Sequence, residues 1–329
     1  MRKLDEPWRL GGLEVPNRVL LAPLAGIGNW FVRLQAKRYG AGLAVSEMIS
    51  SHAIHYGNRK TLDELLIVRP EEKTAGPVAI QLFGGDPAIM REAAGQAAAV
   101  GADAIDINMG CPVPKVTRTG AGVALLSDPD RAVAVARAAA EGSRLPVFVK
   151  LRAGRRIGQS EGFDLALRLA DEAGVAAISF HPRSAQVRHK GRPDYELATQ
   201  LAEQLPVPVI LSGGMNDADH IRRVFSDTGV AAVMLARGCL GNPWLFEQTL
   251  GRRDDEPERT EILGELEWVV DRCVEHLGED RASRYLKKFY PWYLDRLGES
   301  SAAQDALQRA ESVSAQRDIV ARLADLQPA

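Results

Sequence analysis

The sequence predicts an α/β fold: a closed (β/α)8 (TIM) barrel followed by a small C-terminal helical domain. Three observations predict it. Between about Asn17 and Gly241, short β-branched apolar runs alternate with longer Ala/Leu-rich amphipathic runs, the pattern of repeated βα units around a parallel sheet. Eight units over roughly 240 residues suit a closed barrel better than an open doubly wound sheet, and no GxGxxG follows the first strand. Beyond Gly251 strand patterns cease and only helical periodicity continues.

The eight expected strands are RVLLAPLA (18–25), LAVSE (43–47), PVAIQLFG (77–84), AIDIN (104–108), PVFVKL (146–151), AAISFH (176–181), PVILSGG (208–214) and AAVMLARG (231–238). Among the intervening helices, DPAIMREAAGQAAAVGA, DPDRAVAVARAAAEG and SEGFDLALRLADEAG each open on an N-cap residue type and end near glycine. The expected division is a catalytic barrel over 1–250 and a helical domain over 251–329, separated by the charged, Pro-containing run RRDDEPERT. The helical part holds 12 Lys/Arg against 17 Asp/Glu, yet Arg281, Arg284, Lys287, Lys288 and Arg296 fall close to Tyr285, Tyr290, Trp292 and Tyr293. That grouping suits either a solvated face over an aromatic core or a face that meets RNA.

With 46% hydrophobic and 26% charged residues in a chain of 329, there is material for one large core and a smaller one. Three widely spaced cysteines, with no CxxC or Cys/His grouping, argue against a disulfide framework and against a metal site, and fit a reducing cytoplasm. The first residues, MRKLDEPWRL, lack the apolar core of a signal peptide, and no apolar run approaches membrane-spanning length. A net charge of −2 excludes a generally polyanion-binding protein and leaves room only for a local basic face.

In such a barrel chemistry collects where strands end, because the βα loops surround one mouth. The strand ends supply Pro23-Leu24-Ala25, Glu47, Gln81, Asn108 with Cys111, Lys150 with Arg152, His181 with Arg183, Ser212-Gly213-Gly214 and Ala236-Arg237-Gly238. Lys150 would lay its stem on apolar barrel surface and aim its ammonium at the mouth, suited to an anionic or electron-rich cofactor. The SGG and ARG turns after the seventh and eighth strands offer backbone amides and one guanidinium, as for a phosphate. The Gln81 amide suits the edge of a flavin or base. His181 shares the rim with Lys150. Asn108 suits either a substrate carbonyl or the cap of the next helix, and Glu47 either a substrate contact or a fold-stabilising pair with a rim arginine. Cys111, fixed between Gly110 and Pro112 at a strand exit with Lys115 and Arg118 beyond, is not where an inert core thiol sits.

These residues resemble the tRNA-dihydrouridine synthases, and within them the bacterial B-type branch. The resemblance spans nearly the whole chain. It rests on APLAG, SEM at 46–48, QLFG at Gln81, NMGCPVPKV at 108–116, VKLRAG at Lys150, HPRS at His181, KGRPDY at 190–195, SGGM at Ser212 and ARGCLGNPW at 236–244. It implies FMN as cofactor, NADPH as electron donor, tRNA as partner and a cytoplasmic enzyme, taken to be a monomer, that reduces uridine to 5,6-dihydrouridine. Cys111 matches the family's proton donor; free thiols titrate near about 8.5 and so can donate a proton at neutral pH. By the same matching Pro23, Leu24, Ala25, Gln81, Lys150, Ser212, Gly213, Gly214, Ala236 and Arg237 would hold FMN with His181 beside it. Glu47, Asn108, Lys115, Arg118 and Arg183 would face substrate. The chain departs from the family pattern at Ile27–Phe31, at Pro182–Ala185 (which loses an arginine), at Ser212–Gly214 and at Ala236. A flavin reductase of a free pyrimidine or small enoyl-type substrate, and a barrel that binds RNA without turnover, are the competing expectations.

Overall fold

The structure, a computed structural model, describes residues 2–325. It opens on an antiparallel hairpin, β1 (Trp8–Leu10) and β2 (Leu13–Val15). Eight parallel strands then close a barrel: β3 (Val19–Leu21), β4 (Ala44–Ser50), β5 (Val78–Phe83), β6 (Ala104–Asn108), β7 (Val147–Arg152), β8 (Ala177–His181), β9 (Val209–Ser212) and β10 (Ala232–Leu235), with β10 pairing back onto β3. Six fall inside the runs expected from the sequence, while β4 runs on past Glu47 to Ser50 and β7 past Leu151 to Arg152. Several are shorter at their carboxyl ends, because residues such as Pro23–Ala25 and Gly213–Gly214 already belong to loops.

The hairpin is the element that the sequence pattern does not announce, since two strands of three residues carry too little periodicity to register. Its Trp8, Leu10 and Val15 pack into one apolar cluster with Leu20, Val45, Ala79, Ala104, Phe148, Ala177, Ile210 and Ala232, one from each of the eight barrel strands. The hairpin therefore plugs the barrel end from which the strands start. Trp8 is 7% exposed and its indole N–H donates to the Asn17 carbonyl at 2.9 Å, so the ring is buried without an unpaired donor.

The helices open on the expected N-cap residues and end near glycine, with two differences in how the ends are made. Asp86 and Asp128 cap helices Pro87–Ala99 and Pro129–Ser143 with their carboxylates, but Ser160 makes no side-chain bond to helix Glu161–Glu172. Gly142 does not stop its helix, which runs on to a left-handed Arg144. A Cβ at Gly142 would lie 2.0 Å from the Arg91 carbonyl oxygen, so this glycine lets two helices touch backbone to backbone.

The second compact unit begins at Arg237, ahead of the charged linker, because the short turn Arg237–Cys239 and the helix Leu245–Thr249 fold with the helices that follow. Helices Arg259–Leu277, Glu279–Leu286, Tyr290–Leu297, Ser301–Arg309 and Val313–Asp325 make up the rest. Tyr290 and Tyr293 are core residues, the Tyr290 hydroxyl donating to Gln316 Oε1 at 3.1 Å, whereas Arg281, Arg284 and Lys288 are exposed and Lys288 lies over the Tyr285 ring. Among the described residues no helix is long and apolar enough to cross a membrane.

Removing the plug should be costly. Trp8→Ala is expected to lower stability by about 3 to 5 kcal/mol, the range for deleting a buried aromatic ring, measured as the shift of the barrel's urea unfolding transition.

Candidate active site

Side chains alternate across a strand, so the residues that share the barrel interior with Ala104, Phe148, Ala177 and Ile210 are Asp106 and Asn108 on β6, Lys150 and Arg152 on β7, Ser179 and His181 on β8, and Ser212 on β9. Register aligns them: Asn108 pairs with Lys150, Gln81 with Asp106, and Arg152 with His181. The interior thus changes from apolar at the plugged end to polar at the mouth within two or three residues.

The centre is Lys150. Its ammonium donates to Ser212 Oγ at 2.9 Å, and Ser212 Oγ donates to the Phe180 carbonyl at 3.3 Å. The acid acting on it is Asp106, which is wholly buried and has one carboxylate oxygen without a hydrogen-bond partner in the structure. Burial pushes the Asp106 carboxyl pKa up and the Lys150 ammonium pKa down, and their attraction opposes both shifts. Asp106 Oδ2 accepts from Gln81 Nε2 at 2.6 Å, Gln81 Oε1 accepts from Asn108 Nδ2 at 3.0 Å, and Asn108 Oδ1 accepts from the backbone amides of Gly110 (3.2 Å) and Cys111 (2.9 Å). Asn108 therefore caps its own strand exit rather than the next helix.

Cys111 is half-buried at that exit. Its carbonyl accepts from the Val123 amide at 3.1 Å, and a Cβ on Gly122, at φ +61°, would come within 2.4 Å of that carbonyl oxygen, so only glycine lets the following loop close against it. Arg152 Nε donates to the Gly110 carbonyl at 3.1 Å, and its NH1 donates to the Arg188 carbonyl at 2.7 Å. Burial lowers the Arg152 guanidinium to about 10; the Cys111 sulfur opposes that fall and Arg183 adds to it.

His181 is buried beside three cations. Desolvation first, then Lys150, Arg152 and Arg183, hold it neutral far below the usual imidazole range. Arg183 NH1 donates to its Nε2 at 3.0 Å, which places the ring proton on Nδ1. The same guanidinium binds the Gly191 carbonyl at 2.7 Å, so Arg183, expected to face substrate, braces His181 and the 182–193 loop. Gly213 (φ +103°) packs against the imidazole: a Cβ there would meet Nε2 at 2.6 Å. Tyr195 donates its hydroxyl to the Gly213 carbonyl at 3.0 Å. Neither the Gly213 nor the Gly214 amide donates to another group among the described residues.

The remaining expected residues distribute as follows. Pro23 is half-buried, Leu24 buried and Ala25 exposed in the loop after β3, where the Leu24 carbonyl accepts from the Gly28 amide at 2.7 Å. Glu47 sits on a bulge of β4 and accepts from the Gly26 amide at 2.9 Å, tying that loop down. Lys115 and Arg118 are exposed on and just after the short helix Pro114–Thr117. Ala236 ends the barrel unit and Arg237 opens the helical one. Sequence reasoning missed Asp106 and undervalued Arg152. Asp106 lies two residues before Asn108 on the same strand face, and that spacing is the signal that would have found it.

The family model described as "Dihydrouridine synthase (Dus)" matches residues 20–327. The chain belongs to the dihydrouridine synthase family. It is 32% identical over 316 residues to tRNA-dihydrouridine synthase B of Pseudomonas aeruginosa, covering 94% of this chain and 93% of that one. It is 35% identical over 316 residues to a probable tRNA-dihydrouridine synthase of Mycobacterium tuberculosis, covering 91% and 80%. Among solved structures it resembles morphinone reductase in complex with tetrahydroNAD (TM-score 0.55, 18% identity, 80% of this chain and 94% of that one). It also resembles a variant of NCR from Zymomonas mobilis (TM-score 0.58, 16% identity, 80% and 96%). At that identity these two share the barrel fold with this dihydrouridine synthase chain.

The neutral His181 carries a pH prediction. Its folded pKa lies below the unfolded value of 6.5, so as pH falls through 6.5 the unfolded chain takes up a proton that the folded chain refuses. Stability from this group is present above pH 6.5 and is lost below it by about 1.4 kcal/mol per pH unit. His181→Gln should flatten that acid limb in urea-midpoint measurements between about pH 4.5 and 7.

Proposed function

We propose that this chain is an FMN-dependent tRNA-dihydrouridine synthase that reduces uridine to 5,6-dihydrouridine in tRNA with NADPH as reductant, working as a cytoplasmic monomer. One observation carries the reading: a half-buried thiol, Cys111, is locked by its own backbone at the mouth of a barrel whose interior presents the Lys150 ammonium.

The residues present suit FMN. The Lys150 ammonium, the remaining capacity of the Gln81 amide and the neutral His181 offer donors and an apolar ring edge to an isoalloxazine; the Pro23–Ala25 loop offers backbone groups. The Gly213 and Gly214 amides, with positive φ at both glycines, form the kind of concave donor pair that takes a phosphate, to which Ser212, Ala236 and Arg237 would add. When bound, FMN supplies hydride chemistry for the uracil double bond, renewed by NADPH.

The chain's own residues do the rest. Cys111 Sγ holds a proton and gives it to the ring carbon next to the one that is reduced, as general acid. Arg152 fixes the Gly110 carbonyl and so the approach of the thiol. Reaching a base in folded tRNA requires taking it out of its stack, and the loops at the mouth suit that task. Residues 109–121, 153–160 and 182–193 follow β6, β7 and β8, three adjacent strands, and together carry eight Lys/Arg and no Asp/Glu. Lys115 and Arg118 among them would neutralise substrate phosphates, and Asn108 and Glu47 would set the floor on which the uracil rests.

Cys111→Ala is expected to leave NADPH oxidation by the flavin intact while slowing uridine reduction by about 100- to 10,000-fold, read by separate stopped-flow half-reactions. Equal loss in both, or reduction of free uridine in preference to tRNA, would overturn the proposal. Lys115→Ala with Arg118→Ala should lower the slope of log affinity for tRNA against log salt by about 1.4 to 1.8, as for two lost phosphate contacts, measured by filter binding across a salt series.

A further inference from the structure

Between the buried carboxylate of Asp106 and the backbone of Cys111 runs an unbroken series of hydrogen bonds through two side-chain amides, with steps of 2.6, 3.0 and 2.9 Å. A side-chain amide has a donor end and an acceptor end, so each link dictates the orientation of the next. At one end, backbone N–H groups of Gly110 and Cys111 can only donate, which obliges Asn108 to present Oδ1 to them and Nδ2 to Gln81. Gln81 must then turn Oε1 to Asn108 and Nε2 the other way, which requires an acceptor on β6. The group found there is a carboxylate shielded from bulk solvent, since Asp106 is wholly buried and Gln81 is 1% exposed. The two ends thus specify the same polarity independently.

We propose that Asp106 is a positioning residue for Cys111, fixing the thiol's strand exit through the Gln81–Asn108 relay in the only polarity that all four groups satisfy. This goes beyond the synthase reading and rests on it only for what the positioned thiol does. Lys150 is the cation acting on the same carboxylate, so the group that orients the relay also answers the charge at the centre of the site. A relay shielded from bulk solvent is all or none: one reversed amide sets oxygen against oxygen or N–H against N–H, and the strain passes along to the Cys111 amide.

The test is a polarity swap in the full-length chain. Gln81→Glu opposes carboxylate to carboxylate and breaks the relay. Asp106→Asn is the milder, isosteric break, because it removes the charge that holds Gln81 Nε2 and lets an N–H₂ group turn to face it. The double variant restores the sequence of donors and acceptors: the amide at 106 donates to the carboxylate at 81, whose second oxygen accepts from Asn108. Hydrogen–deuterium exchange at the Gly110 and Cys111 amides should speed up on the order of tenfold in Gln81→Glu, less in Asp106→Asn, and return towards the native rate in the double variant. Uridine reduction in tRNA should fall and recover in the same order. Should Gln81→Glu fail to fold, Asp106→Asn and the double variant still make the comparison. Exchange at 110–111 that is indifferent to the single changes, or a double variant no better than the worse single, would overturn the proposal. The expected exchange pattern in a chain that reduces no uridine would leave the relay standing and remove the synthase reading instead.

Discussion

A charge inside a barrel is the constraint on which the rest of this molecule depends. Lys150 rises from a strand whose next inward residue towards the plugged end is Phe148, in an apolar cluster sealed by the N-terminal hairpin. An ammonium brought out of water there would shed its proton unless something answered it. Asp106 answers from the neighbouring strand, and Ser212 accepts one of the three ammonium hydrogens. The attraction is useful to a binding site because it is incomplete. Arg152 and Arg183 add positive charge, and no second buried acid among the described residues acts on His181 to balance them. The mouth is left electropositive, and that charge adds to burial in keeping His181 neutral. An electron-rich or anionic ligand entering that mouth supplies the missing compensation, which is how the polar interior is held ready without collapsing onto itself.

The same carboxylate governs the reactive end. Because Asp106 only accepts, Gln81 and Asn108 have no choice of orientation, and the Cys111 backbone is held from below by Asn108 and from above by the Val123 amide and the close approach of Gly122. The thiol is therefore set by main-chain contacts, leaving its side chain free of structural duty. Its two companions differ. Cys239 and Cys273 are buried and burial pushes both thiols up to about 12, as expected of cysteines that act as small apolar residues.

Much of the fold was legible in the sequence. Eight strands and their connecting helices repeat one unit, and repetition makes even a four-residue strand such as Val209–Ser212 recognisable by its place in the series. The hairpin has no such support. Its strands are three residues long, and what makes them strands is the barrel end that they fill, a tertiary cause that leaves little local trace. Residues at strand ends could be read as site candidates because the barrel dictates where loops gather, and Lys150, Ser212, Asn108, Gln81 and Cys111 do converge there through direct bonds. What a strand-end rule cannot see is depth. Asp106 sits one inward position deeper, inside an apolar run, and acquires its meaning only once the register sets it beside Gln81. Arg183 shows the converse: a charged residue at a rim looks free for substrate, and only the path of the 182–193 loop reveals that its guanidinium is occupied.

Charge is distributed with the same economy. The whole chain sums to −2, yet the three loops after β6, β7 and β8 hold eight Lys/Arg without a single Asp/Glu, so the remainder carries −10. Those loops follow neighbouring strands and share one rim, so that rim concentrates a positive charge that the chain as a whole does not carry. A polyanion is drawn to a rim of that charge before any contact is made. The exposed Val113 and Ile157 stand within these loops, and Ile157 is 69% exposed although the Gln186 side chain accepts from its amide at 3.2 Å and holds the turn that presents it. The barrel thus gathers cations and exposed apolar side chains on the loops beside the exit that carries Cys111.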